Sequence, residues 1–334
     1  YLAHTAALLS LSALSLVIRL KYIWTGHLIV AFVAASTGFI VFDLFPDYAL
    51  QKPALIVVVI FGVAITLFGA GYKMATHAKL PNRAILYETA AQLSIALLVC
   101  TLIARFASGG KWEFGYMVLG LYATVWIMMA GVQFKRRSTI QDGLTQIRLC
   151  LAYGYGLLGL GALALSIIMS PLLLDKVKGI FPLDTIMVAY ALPMVAAYGL
   201  YHFKLLPNFI TRKIAFGFMG ILAGFIAIQE VRRFWHGPVI RLEEGVKLGE
   251  LYTYTVILLV ATLSTVVLAI TRDKPHLRKI GLALAALTAA KVFLWDTAGM
   301  QGLARASVFI ALGLTLAGIG WLLQTPNSTD NDKD

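Results

Sequence analysis

Charge is scarce in this chain. Of its 334 residues only 13% are Asp, Glu, Lys or Arg, against roughly 25% in soluble domains. That shortage excludes a water-soluble fold, because too little polar surface exists to cover one. Cysteine is nearly missing as well. Cys100 and Cys150 are the two present; both fall inside apolar stretches, so they offer no disulfide framework and say little about redox compartment. Soluble-enzyme signatures are lacking too. There is no Walker loop, no dinucleotide fingerprint after a strand and no nucleophile elbow. The six histidines (His4, His27, His77, His202, His236 and His276) are scattered, with no pair at the helical spacing of a metal or haem site. Neither a metal nor an organic cofactor is expected.

Apolar length is what the chain has in abundance. Hydrophobic residues make up 60% of it. Strong runs lie at 1–18, 27–45, 54–72, 84–104, 114–134, 148–174, 184–203, 213–229, 250–271, 280–300 and 303–324. A helix needs roughly 20 such residues to cross the hydrocarbon. The runs are too long for barrel strands and do not alternate with period two, so helices are the only spanning option. The expectation is an all-α polytopic integral membrane protein, a bundle of about eleven transmembrane helices in tight hairpins over residues 1–324. The polar stretch 325–334 reads as a disordered cytoplasmic tail. Tyr1 already lies inside an apolar stretch without the basic segment or cleavage site of a signal peptide. This predicts that the domain is the C-terminal part of a longer polypeptide.

The loops between runs alternate in charge. Of 28 Lys and Arg, 17 fall on the side that carries Arg19, Lys73, Arg83, Arg136, Lys204 and Arg212, and 9 on the other; Lys291 and Arg305 fall inside runs. The positive-inside rule makes the richer side cytoplasmic, which predicts a cytoplasmic C-terminus. The net charge of +12 is therefore mostly topology. Nucleic-acid binding would need one contiguous basic face, which short loops do not offer. The expected partners are the lipid bilayer and other membrane or envelope proteins, with no nucleic acid.

Within the runs, Gly154, Gly156, Gly159 and Gly161 share one and Gly217, Gly220 and Gly224 another, a spacing that lets helix backbones approach closely. Pro193 lies mid-run, where a kink is expected. Glu88 and Asp43 lie near run ends and read as interfacial.

The polar residues that stand out gather late in the chain, on the charge-poor side. Glu230, Arg232, Arg233 and His236 end one run, and Glu250, Tyr252 and Tyr254 open the next. Lys291, Asp296 and Arg305 follow. Lys291 is the sharpest case, since an unpaired Lys at membrane depth costs roughly 2.5–3.5 kcal/mol. It needs a counter-charge, for which Asp296 or Glu250 is the candidate, or a polar cavity that takes an anionic group. Glu230 and Glu250 could do acid–base work if they faced one cavity. Arg232 and Arg233 could hold a phosphate or carboxylate by charge-assisted bonds.

The stretch Arg232–Gln324 also carries a family likeness. Its pieces are Arg233-Phe234-Trp235-His236-Gly237, Glu250-Leu251-Tyr252-Thr253-Tyr254, Leu277-Arg278-Lys279-Ile280-Gly281-Leu282, Lys291-Val292-Phe293-Leu294-Trp295-Asp296, Gly302-Leu303-Ala304-Arg305 and Gly313 to Gln324. They resemble the C-terminal end of the bacterial predicted membrane proteins called domain of unknown function 2339. The resemblance covers the last third of the chain. It implies a long polytopic inner-membrane protein with Glu250, Tyr252, Tyr254, Lys291, Asp296 and Arg305 among its characteristic polar positions, and it implies no activity.

Three functions fit these readings. The leading one is a multi-pass inner-membrane scaffold or partner subunit in bacterial envelope biology. The second is a transporter or lipid-handling protein with an outward-facing polar cavity around Lys291. The third is a membrane enzyme acting on a lipid-linked envelope substrate, with Glu230 or Glu250 as acid or base.

Overall fold

A computed structural model describes residues 53–107, 115–139, 145–206, 210, 212–272 and 275–296, with short pieces at 306–307, 309–311, 313–314 and 317–318. Its elements are α1 (Ala54–His77), α2 (Pro81–Ala107), α3 (Tyr116–Thr139), α4 (Thr145–Ile168), a two-residue hairpin β1 (Gly179–Ile180) and β2 (Leu183–Asp184), α5 (Thr185–His202), α6 (Arg212–His236), α7 (Leu248–Thr271) and α8 (Pro275–Lys291). The protein is an all-α membrane protein, with that hairpin as the one strand pair among the described residues. Among the described residues seven helices, α1 to α7, are long and apolar enough to cross a membrane.

The expected count of about eleven spans is thus met in seven places. The runs at 1–18 and 27–45 lie outside the described residues, and 303–324 is described only in pieces. The run at 280–300 is where the structure departs from the expectation. Its α-helix spans 17 residues and ends at Lys291, then widens into a π turn, Val292–Asp296. Wide turns of this kind occur frequently at functional sites.

Two compact units divide the described chain: one holds residues up to Glu230 together with Pro238–Arg241, the other holds Val231–Gly237 and everything from Leu242. In the first unit, α1 buries Val57, Phe61, Ala64, Phe68, Gly71 and Ala75 against α2. These positions step by four and three in turn, the 3.5-residue seam of a left-handed helix pair. Gly71 belongs to the seam because a Cβ there would enter the Tyr87 ring. Three residues connect α1 to α2. Lys79 takes φ +55° and the Leu80 amide reaches back to the Ala75 carbonyl at 2.9 Å, a left-handed helix stop. Pro81 then opens α2 at the position where its missing N–H costs nothing.

A second core joins α3, α4, α5 and the first-unit part of α6 around Tyr116, Ala123, Leu163, Ile186, Tyr190 and Leu222. Asp184 starts α5 by accepting from the Ile186 and Met187 amides at 2.7 and 3.2 Å. Tyr190 donates to the Ser166 carbonyl at 2.9 Å, and Ser166 donates to the Tyr116 carbonyl at 2.7 Å. Pro193 lies inside α5 and is buried. Most described Ser and Thr side chains in the helices donate to the carbonyl four residues back, as Thr89, Ser94, Thr101 and Thr124 do. That bond satisfies a hydroxyl where no water is available.

Glu88, which lies near a run end, is buried inside the protein. It is 7% exposed and pairs with Arg148 at 3.1 Å and with Arg136. Gln92 donates to the same carboxylate at 3.0 Å, and Gln133 donates to Gln92. One carboxylate therefore ties α2, α3 and α4. Asp43 lies outside the described residues.

In the second unit α7 packs along α8. Gly281 on α8 meets Val266 on α7, where a Cβ would come within 2.9 Å of Val266 Cγ2. Thr262 and Thr288 bring their hydroxyls to 3.5 Å across the same seam.

Candidate functional site

Two helical pairs face one another in the second unit. Arg232 and His236 are four apart on the last turn of α6, and Glu250 and Tyr254 are four apart on the first turns of α7. Side chains at that spacing share a helix face. Glu250 sits where the first amides of α7 have no partner within the helix and where the helix dipole favours a carboxylate. Its Oε2 accepts from the Lys247 amide at 3.3 Å, the returning half of a capping box.

The rest of the carboxylate is taken by side chains. Arg232 Nη1 donates to Glu250 Oε1 at 3.2 Å, and the Tyr254 hydroxyl donates to the same oxygen at 3.0 Å. His236 Nε2 meets Oε2 at 2.8 Å. A carboxylate has about four lone-pair sites, and Glu250 has four such partners while being 0% exposed. Arg232, 3% exposed, spends its other terminal nitrogen on the Gly245 carbonyl at 3.0 Å. Gly245 supplies that carbonyl from φ +73°, a conformation L side chains rarely adopt.

A rim of further contacts closes the cluster. Trp235 donates from Nε1 to the Thr253 hydroxyl at 3.0 Å. Its ring lies over Gly249, where a Cβ would overlap it. Lys247 Nζ donates to the Trp235 carbonyl at 2.6 Å. One turn along α7, Lys291 Nζ donates to the Leu251 carbonyl and to the Thr255 hydroxyl.

Of the ten positions singled out from the sequence, Arg232, His236, Glu250 and Tyr254 meet directly, and Lys291 joins the next turn of α7. Glu250, one of the two counter-charges offered to Lys291, is given instead to Arg232 and His236. The fold makes this choice because α6 ends and α7 begins on either side of one short loop. Arg233 is buried. Glu230 belongs to the first unit, with its carboxylate oxygens buried. Tyr252 is 41% exposed and stands apart from the cluster. The side chain of Asp296 and the whole of Arg305 lie outside what is described. Sequence reasoning passed over Gly245, Gly249 and Thr255, and gave no site role to Lys247, Trp235 and Thr253, the last two of which stand inside the family-like segments. The signal available for Trp235 and Thr253 was their position beside the two facing pairs.

Among the described residues no group of three or more His, Cys, Asp or Glu side chains converges as a metal site. The arrangement is a saturated ion pair rather than an open one. It can fix the α6–α7 corner, and it leaves Glu250 no free lone pair to accept a substrate proton.

The family model described as predicted membrane protein, DUF2339, matches residues 1–326. The chain belongs to this family. The likeness seen in the last third of the sequence therefore extends over nearly all of it. No curated protein and no solved structure matches the chain. This DUF2339 protein is accordingly a multi-pass membrane protein in which four of the polar positions highlighted by the family likeness, Glu250, Tyr252, Tyr254 and Lys291, lie on α7 or at the end of α8.

Proposed function

We propose that this DUF2339 protein is a multi-pass scaffold or partner subunit of the bacterial inner membrane, its Lys- and Arg-rich side in the cytoplasm. The saturated Glu250 is the observation that carries the reading. A catalytic acid or base must reach a reacting atom within about 2.6–3.2 Å, and this carboxylate is 0% exposed with a donor on every lone-pair site. Lys291 is likewise engaged by Leu251 and Thr255, which weighs against a waiting anion site there. A protein whose polar groups serve its own corners works through the surface it presents, and here that surface is apolar helix.

The test uses a deletion strain of the source bacterium complemented with Glu250→Gln, Arg232→Met and the Arg232→Met/Glu250→Leu double variant. Folded protein in the membrane is measured alongside rescue of the deletion phenotype. The expected outcome is rescue in proportion to folded protein, with the double variant losing less than the two single losses together. A Glu250→Gln protein folded at the normal level and unable to rescue would overturn the reading in favour of membrane catalysis.

A further inference from the structure

The first unit holds an apolar groove of about 290 Å³. Its walls come from α3, α4, α5 and the start of α6, with Phe134, Gly156, Leu160, Leu200, Ile214 and Phe218 among the lining residues, and every residue that lines it is apolar or glycine. Ligand pockets span roughly 300–1,000 Å³. This groove is at the small end, too small for a whole lipid or a large solute and suited to a stretch of one hydrocarbon chain. The α3, α4, α5 and α6 portions of the wall fall within candidate membrane spans.

Charge marks one end of it. Lys135 follows Phe134, Lys204 lies two residues before Leu206, and Arg212 and Lys213 immediately precede Ile214. All four cations are exposed. Arg212 is braced over the Phe216 ring, 5.3 Å from its centre. Glu88, the acid nearest this end of α2, is buried on Arg136 and Arg148. The positive-inside bias puts cations at this membrane edge in any case; what makes the edge specific is an apolar groove that opens among them.

Lys204 adds a second observation. It ends α5 at φ +55°, with the Leu205 amide bonded to the Leu200 carbonyl at 2.8 Å. Glycine is the ordinary residue at such a stop. Lys79 stops α1 in the same way, so the conformation alone is not special; at α5 it leaves an exposed lysine two residues before Leu206 of the groove.

We propose that the groove seats one acyl chain of an anionic phospholipid, with its phosphate headgroup held by Lys204, Arg212 and Lys213. Charge complementarity selects the occupant. A zwitterionic lipid brings its phosphate already paired with its own ammonium and gains less from the three cations, whereas for a net anionic lipid each cation adds about 1 kcal/mol, roughly a fivefold gain in affinity.

The test is native mass spectrometry of the full chain, delipidated in detergent and titrated with phosphatidylglycerol or with phosphatidylcholine of the same acyl chains. Gly156→Leu fills the groove from a position whose Cβ would meet only Ala130 Cβ, at 3.9 Å. Lys204→Gly removes a charge where the backbone itself favours glycine, so lost binding cannot be ascribed to lost folding. Leu157→Ala, at an exposed position outside the groove, is the control. Expected are one tightly retained phosphatidylglycerol, weaker phosphatidylcholine, about fivefold weaker phosphatidylglycerol for Lys204→Gly, and loss of the retained lipid for Gly156→Leu with Leu157→Ala unchanged. Equal retention of the two lipids would overturn the headgroup assignment. A phosphatidylglycerol preference that survives Gly156→Leu would assign the cations to a flat basic surface and overturn the groove.

Discussion

Glu250 and Arg232 set the residue scale, because a buried charge pair is worth most when one partner is taken away. Removing one member leaves the other uncompensated at a cost of about 3–5 kcal/mol, and Arg232 at 3% exposure has little solvent to turn to. Glu250→Gln and Arg232→Met should each lose about that much in equilibrium unfolding in detergent. The Arg232→Met/Glu250→Leu double variant should lose less than the sum, with a coupling of about 0.5–3 kcal/mol; strict additivity would mean the two charges do not depend on each other. Lys291→Met should cost about 1.5–3 kcal/mol through its lost charged hydrogen bonds. Its effect should add to that of Glu250→Gln, since Lys291 donates to Leu251 and Thr255. The cost of burying charge pointed to these residues from sequence alone. Which charge pairs with which was not legible, because a lysine can be satisfied by a carbonyl and a hydroxyl that carry no sequence signal. Glu88 shows the same limit: nothing local to it announces that Arg136 and Arg148 arrive from two other helices.

At the scale of the element, glycine separates packing from mere composition. Gly120 on α3 lies against the backbone of α5, where a Cβ would come within 2.7 Å of Ala189 Cα. Gly159 on α4 faces α3 in the same way, with Ile127 Cγ1 2.8 Å from where its Cβ would sit. Gly154, Gly161, Gly217, Gly220 and Gly224 have open space there instead. Gly120→Ala should therefore destabilise the first unit, since backbone cannot move aside as a side chain can. Gly154→Ala should be neutral or should stabilise by about 0.5–1 kcal/mol, the ordinary gain on removing glycine from a helix interior. Thermal unfolding of the two variants in one detergent decides it, and equal effects would refute the contact. The clustered glycines at 154–161 and 217–224 drew attention because they recur, yet the tightest approaches belong to glycines outside those clusters, Gly120, Gly131 and Gly249, with Gly71 next. Helix positions and ends were more legible, since apolar length fixes a span and Pro81 and Pro275 open α2 and α8. The end of α8 was not, because the widening at Val292 breaks an apolar run without proline or glycine.

For the whole molecule, the charge bias makes a claim about the orientation of every helix at once. Helices that follow one another through short loops alternate in direction, so the turn after α1 and the segment between α5 and α6 must share a membrane side, and the loop between α6 and α7 must lie opposite. Lys79 and Lys204 lie in the first two, with Arg212 and Lys213 at the start of α6, and the 17-to-9 excess predicts that this side faces the cytoplasm. The structure refines where to probe this. Gly245 is a poor site for a cysteine because its φ of +73° and its bond to Arg232 both belong to the charged cluster. Val246 beside it is 60% exposed. Cys150 is exposed and would give background, so it is replaced by serine. In that background, a cysteine at Val246 should react with an impermeant thiol reagent in intact spheroplasts, whereas one at His77, exposed at the end of α1, should react only once the membrane is opened. Reversed labelling would invert the assignment and move the basic mouth of the apolar groove to the outer leaflet. Labelling of both sites in intact cells would break the alternation of the helices between them and refute the spans themselves.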